Sequence, residues 1–170
     1  MGKISTIMRR ELGAYFNSPI AYVVISVFLV LSAFLFFNAL FLQQQAELRE
    51  LFDGFWTTLL VAILGPAITM RLFAEERSND TLELLLTMPV TDWDIVLGKY
   101  LAALVLFGYA MLAMGCFAVT VAWLGPLDKG AAFAGFVGLY LTTATYMAIG
   151  LMASAFTKNQ IVAFLMAVTM

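Results

Sequence analysis

The fold of this chain is decided first by residues 20–42, IAYVVISVFLVLSAFLFFNALFL, which contain no charged side chain. As a helix this stretch is about 34 Å long, enough to cross a hydrocarbon core of about 30 Å. It is too long for the core of a signal peptide, and no small-residue cleavage site closes it, so we expect a retained anchor. Of the 170 residues, 63% are hydrophobic and only 12% are charged. Soluble domains carry about one quarter charged residues, so the sequence predicts a membrane protein.

The charged residues are concentrated between long uncharged segments, which are residues 12–46, 54–70, 100–127, 130–157 and 159–170. From these segments we predict an all-α, polytopic transmembrane helical bundle. Its four complete spans would lie near residues 20–42, 55–70, 100–123 and 131–156. Residues 159–170 would form only part of a fifth span, so we expect the sequence to be a piece of a longer protein. Gly65-Pro66 is expected to kink the second span, because proline removes one helical hydrogen bond.

The composition excludes several kinds of active site. The chain has no histidine, so it cannot supply a histidine general base, a Ser-His-Asp system or a histidine metal site. Its lone cysteine, Cys116, lies in an apolar segment and is expected to be an inert packing residue. A net charge of −2 without a long basic run argues against nucleic acid as a partner. We therefore expect no catalytic, cofactor-binding or metal-binding residue in this chain.

The distribution of lysine and arginine predicts the orientation in the membrane. One arrangement of the spans places only Arg49 and Lys129 on one side. The other side then carries Lys3, Arg9, Arg10, Arg71, Arg77, Lys99 and Lys158. Because an excess of basic residues marks the cytoplasmic side, we predict that the amino terminus and residues 71–99 are cytoplasmic.

The four predicted spans contain no Asp, Glu, Lys or Arg. Ion-coupled carriers usually need buried ionisable groups, so gradient-driven transport by this chain alone is disfavoured. Small residues four positions apart predict close helix contacts, either inside one bundle or at a dimer face. These pairs are Ala131/Gly135, Ala134/Gly138, Ala144/Ala148 and Gly150/Ser154. A second cluster, Phe34, Phe36, Phe37 and Phe41, fits a lipid-facing surface as well as a substrate path.

Residues 3–16 form an amphipathic pattern before the first span. Apolar residues recur at helical spacing beside Lys3, Arg9 and Arg10. This pattern predicts an interfacial helix on the inner surface, with its basic residues facing anionic lipid headgroups. Glu11 falls within the apolar arc. Its carboxylate therefore either contacts another part of the protein or snorkels to water.

Residues 71–99 contain nine charged residues and two helix-start signals. Asp80 followed by Glu83 predicts one helix, which Pro89 ends. Thr91 to Asp94 predicts a second helix that continues through Lys99 into the third span. The leucines 82, 85 and 86 form an apolar stripe on the first helix. This stripe either tucks under the bundle in a solvated loop or docks into a groove of a cytoplasmic partner.

At this loop the sequence resembles the permeases of ABC-2 type transporters. The resemblance is carried by RLFAEERSNDTLELLLTMPV at residues 71–90, followed by Gly98-Lys99, and by MRREL at residues 8–12 with Pro19. Within that family it is most similar to the gliding-motility and nitrous-oxide-reductase maturation permeases. Asn79-Asp80 stands where the family frequently has glycine. The resemblance implies six spans, of which this chain carries four and part of a fifth.

The same resemblance implies two permease subunits and a pair of cytoplasmic ATPase subunits in a bacterial inner membrane. The permease dimer would be a homodimer or a heterodimer. Residues 71–99 would contain the coupling helix that sits in a cleft of the ATPase. The implied contact residues are Glu75, Glu76, Arg77, Thr81, Leu82, Glu83, Leu85 and Pro89, with Arg9, Arg10 and Glu11 on the interfacial helix beside them.

We therefore interpret the chain as the non-catalytic permease subunit of an ABC-2 exporter. No phosphate-binding loop of the G-x-x-x-x-G-K-[ST] type occurs in it, so we do not expect this chain to hydrolyse ATP. The resemblance implies that a separate subunit does so. The alternative is a membrane anchor or assembly scaffold that recruits a cytoplasmic partner through the same loop without transport. The uncharged spans do not select among lipid-like, peptide and polysaccharide substrates.

Overall fold

A computed structural model describes residues 2–42, 48, 51–52, 54–79, 90–125 and 127–170. Within these residues the chain forms seven main helices and no strand, so the predicted all-α helical bundle is confirmed. The helices are α1 (Lys3–Asn17), α2 (Pro19–Leu42), α3 (Phe55–Thr69), α4 (Arg71–Ser78), α5 (Asp92–Leu124), α6 (Lys129–Phe156) and α7 (Gln160–Thr169).

Four helical segments are long and apolar enough to cross a membrane. They are Ala21–Phe41, Phe55–Ser78, Asp92–Leu124 and Lys129–Phe156. The second of these comprises α3 and α4 together, so it extends beyond the predicted span at residues 55–70. Helix α3 continues through Gly65-Pro66, where the sequence predicts a kink, and an interruption between α3 and α4 lies at Met70.

Helix α5 begins at a capping box, as the sequence predicts. The Thr91 hydroxyl oxygen accepts from the Asp94 backbone N–H at 3.3 Å, and the Asp94 carboxylate accepts from the Thr91 backbone N–H at 3.1 Å. This reciprocal pair satisfies backbone donors that have no partner inside the helix. The cap starts α5 two turns before Lys99, so Lys99 is part of a continuous 33-residue helix.

Helix α5 contacts α1, α2 and α6, while α6 also packs against α3, α4 and α7. Aromatic contacts join α2 to α5, with ring centroids 5.1 Å apart for Phe28–Phe107 and 5.0 Å apart for Phe36–Phe117. Phe36 is therefore buried, whereas Phe34, Phe37 and Phe41 are exposed. The predicted phenylalanine cluster thus splits into one core residue and three surface residues.

Two of the small-residue pairs make contacts inside this chain. A Cβ at Gly135 would overlap the Phe52 ring, and a Cβ at Gly150 would overlap Pro66 and Thr69. Ser154 hydrogen-bonds the backbone around Met70. At these positions the small residues serve packing within one bundle. The interpretation of Cys116 as a packing residue is wrong, since its side chain is exposed on the outer surface of α5.

Candidate functional site

The amphipathic helix α1 packs against the first turns of α5. The two helices are closest at Gly98, where an added Cβ would lie 2.7 Å from Ile7 Cγ2 and 2.8 Å from Ile7 Cβ. No larger residue fits this crossing without a shift of Ile7. The close approach brings Glu11 of α1 level with Lys99 of α5.

Lys99 is the centre of a buried ionic cluster. Its ammonium nitrogen lies 3.2 Å from Glu11 Oε1 and 2.8 Å from Glu76 Oε1. The Lys99 side chain is 1% exposed, and the two glutamates are 13% and 14% exposed. Its nitrogen also lies 5.4 Å from the centroid of the Phe73 ring. The cluster joins α1, α4 and α5 through one cation.

Charged residues at the edge of the cluster extend it toward solvent. Arg10 Nη2 lies 3.9 Å from Glu76 Oε1, with the Arg10 side chain 59% exposed. Arg71 Nε lies 3.3 Å from Glu75 Oε2 one turn along α4. Exposed pairs of this kind contribute little to stability. The buried contacts of Lys99 therefore hold the three helices in register.

Tyr15 connects α1 to the interrupted helix on the other side of the cluster. Its hydroxyl donates to the Ile68 carbonyl at 2.8 Å, and the Arg71 guanidinium carbon lies 5.6 Å from the centre of its ring. Burial raises the pKa of the Tyr15 hydroxyl above its ordinary value, and the nearby Arg71 charge opposes this only in part. Tyr15 therefore stays neutral and acts as a hydrogen-bond donor.

These residues surround a cavity of about 210 Å³ between α1, α4 and α5. Its charged lining consists of three basic and three acidic side chains, whose formal charges cancel. They are Arg10, Arg71, Lys99, Glu11, Glu75 and Glu76. No group of His, Cys, Asp and Glu in the described ranges is arranged to hold a metal ion. The arrangement links the three helices electrostatically.

The structure brings together some of the residues selected from the sequence. Glu11 and Glu76 meet at Lys99, and Arg10 lies beside Glu76, so Glu11 makes a protein contact rather than snorkelling. Arg9 is exposed on α1, and Arg77 lies in the last turn of α4. Thr81, Leu82, Glu83, Leu85 and Pro89 lie outside the described residues, as does the helix predicted for residues 81–87.

Sequence reasoning missed the roles of Lys99, Tyr15 and Ser154. Lys99 stands next to Gly98 at the head of a long uncharged segment, and this was a usable signal. A lysine at the start of an apolar segment either snorkels or pairs with an acidic residue. Glu11 lies in an apolar arc, so its carboxylate likewise either reaches water or pairs with a basic residue. Tyr15 and Ser154 carried no comparable signal.

Comparison with known proteins identifies the family. No curated protein and no solved structure matches the chain significantly. The family model described as ABC-2 family transporter protein matches residues 6–170. This match includes α1 from Thr6 onward, the ionic cluster and the four helical segments that could span a membrane. The chain therefore belongs to the ABC-2 transporter family and is a multi-pass membrane permease component of an ABC transporter.

Proposed function

We propose that this chain couples ATP hydrolysis on a cytoplasmic partner subunit to the export of a substrate across the membrane. A second permease subunit, identical or related, would complete the substrate path. The observation that carries the proposal is the Lys99 cluster, which ties together both flanks of the loop between α4 and α5. The motif at residues 71–90 supports a place in the gliding-motility and nitrous-oxide-reductase maturation branch.

The Lys99 cluster holds together the helices on both sides of this loop. Glu76 lies near the end of α4 and Lys99 near the start of α5, so their contact joins the two helices between which residues 80–89 stand in the sequence. Glu11 adds α1 to the same cluster. A buried ion pair resists separation, because each ion would be left without a partner in a poorly solvated site. Force applied to the loop would therefore move α4 and α5 together.

Residues 80–89 are the proposed contact with the ATPase. Thr81, Leu82, Glu83, Leu85 and Pro89 would dock into the partner, with Glu75, Glu76 and Arg77 at the base of the loop. An apolar stripe with charged flanks suits a groove on a soluble protein. Closure of the ATPase when it binds ATP would pull residues 80–89. This pull would tilt two spans, namely α3, which ends before Arg71, and the part of α5 that follows Lys99.

The proposed orientation places this end of the bundle in the cytoplasm of a bacterial inner membrane. Contacts within the described residues bring α1, α4 and the first turns of α5 to one end. Ser154 places the end of α6, and therefore Lys158, near α4. Six of the seven basic residues predicted to be cytoplasmic lie in these helices. Clustered basic residues favour the cytoplasmic side.

Site-specific cross-linking tests the docking. Cys116 is replaced by alanine, and a single cysteine is placed at Leu85 in the complex assembled with its ATPase subunit. Photo-activated cross-linking from this thiol should capture the ATPase. The yield should differ between ATP-bound and nucleotide-free complexes, because closure of the ATPase moves the contact.

A cysteine at Lys129, at the start of α6, serves as the matched control. It lies at the opposite end of the bundle and should capture no ATPase. Absence of a cross-link from Leu85 would contradict the docking. A cross-link together with ATPase activity that is insensitive to Glu83→Lys would favour the scaffold alternative.

A further inference from the structure

A side-chain hydroxyl is inserted into the backbone hydrogen bonds where α3 meets α4. The Ser154 hydroxyl donates to the Met70 carbonyl at 2.7 Å. The same oxygen accepts from the backbone N–H groups of Phe73 and Ala74, both at 3.0 Å. In an uninterrupted helix the Ala74 N–H would donate to the Met70 carbonyl. Ser154 stands between these two groups and keeps the turn open.

A second hydroxyl, from a different helix, reaches the same interruption. The Tyr15 hydroxyl donates to the Ile68 carbonyl at 2.8 Å. In an uninterrupted helix this carbonyl would accept from the Leu72 N–H. Tyr15 belongs to α1 and Ser154 to α6, so two different helices hold the turn.

The close approach of α6 makes the insertion possible. Gly150 lies one turn before Ser154, and a Cβ there would be 2.7 Å from Pro66 Cα and would overlap the Thr69 hydroxyl. Ser154 itself is 0% exposed. The glycine lets α6 come near enough to α3 for a short hydroxyl side chain to enter the backbone of its neighbour.

We propose that Ser154 and Tyr15 are positioning residues that hold an open hinge between α3 and α4. Insertion of a side chain into the helical hydrogen bonds is a known cause of helix kinks. The Ala74 N–H and the Met70 carbonyl are satisfied in both an open and a closed turn, since they bond either to Ser154 or to each other. When Ser154 withdraws, the Ala74 N–H can donate to the Met70 carbonyl. The turn then closes and the direction of α4 changes.

The place of the hinge in transport rests on the proposed function, since α4 leads directly into residues 80–89. A pivot at Met70 would set how far movement of this loop tilts α3. The hinge itself is a property of the chain alone. It is therefore testable without any ATPase subunit.

The test measures the distance across the hinge with paired spin labels. In a Cys116→Ala chain reconstituted in lipid nanodiscs, cysteines at Trp56 and Asn79 carry the labels. Both positions are exposed. In one continuous helix, positions 23 residues apart are about 34 Å apart along the axis. Ser154→Ala should shift the measured distance toward that longer value, because the turn can close.

Two controls and a second test variant accompany this measurement. Labels at Trp93 and Trp123 lie within the uninterrupted α5 and should keep their distance in every variant. Ser154→Thr keeps the hydroxyl and should keep the parental distance at 56–79. Tyr15→Phe removes the second hydroxyl but keeps the ring, and should shift the distance in the same direction as Ser154→Ala.

An unchanged 56–79 distance in Ser154→Ala, with the α5 distance intact, overturns the proposal. A shift in Ser154→Thr equal to that in Ser154→Ala would also overturn it, because the hydroxyl would then be irrelevant. If Ser154→Ala fails to fold, the distance between positions 93 and 123 of α5 is lost. Tyr15→Phe then serves as the test of the hinge. An unchanged distance in that variant rejects the hinge. The outcome of the Leu85 cross-linking experiment does not affect this result, because the 56–79 distance is measured without an ATPase subunit.

Discussion

Lys99 shows how much of the site depends on a single side chain. A lysine ammonium at 1% exposure is unfavourable unless nearby acceptors replace its water. Glu11 and Glu76 do so from two other helices, at 3.2 and 2.8 Å. A buried pair is weak evidence for net stability, yet removal of one partner is costly. The need to keep Lys99 paired therefore restricts how α1, α4 and α5 can pack against one another.

Replacement of this lysine should destabilise the chain. Lys99→Met leaves two glutamates facing each other without their shared cation, at a cost of about 3 kcal/mol. The thermal unfolding midpoint in detergent, followed by tryptophan fluorescence, should fall clearly. Lys158→Met removes an exposed lysine at the same end of the bundle and should leave the midpoint unchanged. Equal midpoints for the two variants would show that the buried pairs carry no stability.

At the scale of elements, helix length and small residues decide the contacts. Helix α5 has 33 residues and is about 50 Å long, well beyond a hydrocarbon core of about 30 Å. The turns of α5 that exceed this thickness include Gly98 and Lys99, which contact α1. Helix α6 reaches α3 through Gly150 in the same way that α5 reaches α1 through Gly98. Both contacts need a glycine because a Cβ would meet the neighbouring helix.

Alanine at Gly150 should separate α6 from α3. The added Cβ would lie 2.7 Å from Pro66 Cα, a backbone atom that cannot rotate away. Gly150→Ala should therefore lower the unfolding midpoint and shift the 56–79 spin-label distance, since Ser154 is moved out of the hinge. Gly138 on the same helix has open space around it, and Gly138→Ala should be neutral or slightly stabilising. Similar midpoints for both variants would contradict the close contact.

At the scale of the whole molecule, the charges lie at the two ends of an uncharged bundle. The ionic cluster gathers α1, α4 and the start of α5 at one end, while Lys129 begins α6 at the other. Each charged residue of the described helices thus lies outside the apolar middle or is paired at its edge. The proposed orientation rests on this separation.

Thiol labelling of intact cells should report that orientation. In the Cys116→Ala chain, a cysteine at Lys129 should react with a membrane-impermeant maleimide added from outside. A cysteine at Asn79 should react only after the membrane is permeabilised. Removal of Cys116 is necessary because that thiol is itself exposed on the surface of the bundle. The reverse labelling pattern would place the ionic cluster on the outer side.

The helical membrane fold, the cap at Thr91 and the family follow from the amino-acid sequence, because they depend on apolar length, local spacing and a contiguous motif. The sequence located Glu11 and Glu76 as residues of interest without their partner. Only the tertiary structure decided that Lys99 joins Glu11, a residue 88 positions away, and that Ser154 enters a turn 84 positions away. Such pairs are absent from local patterns because helix packing, which depends on every interface at once, brings them together.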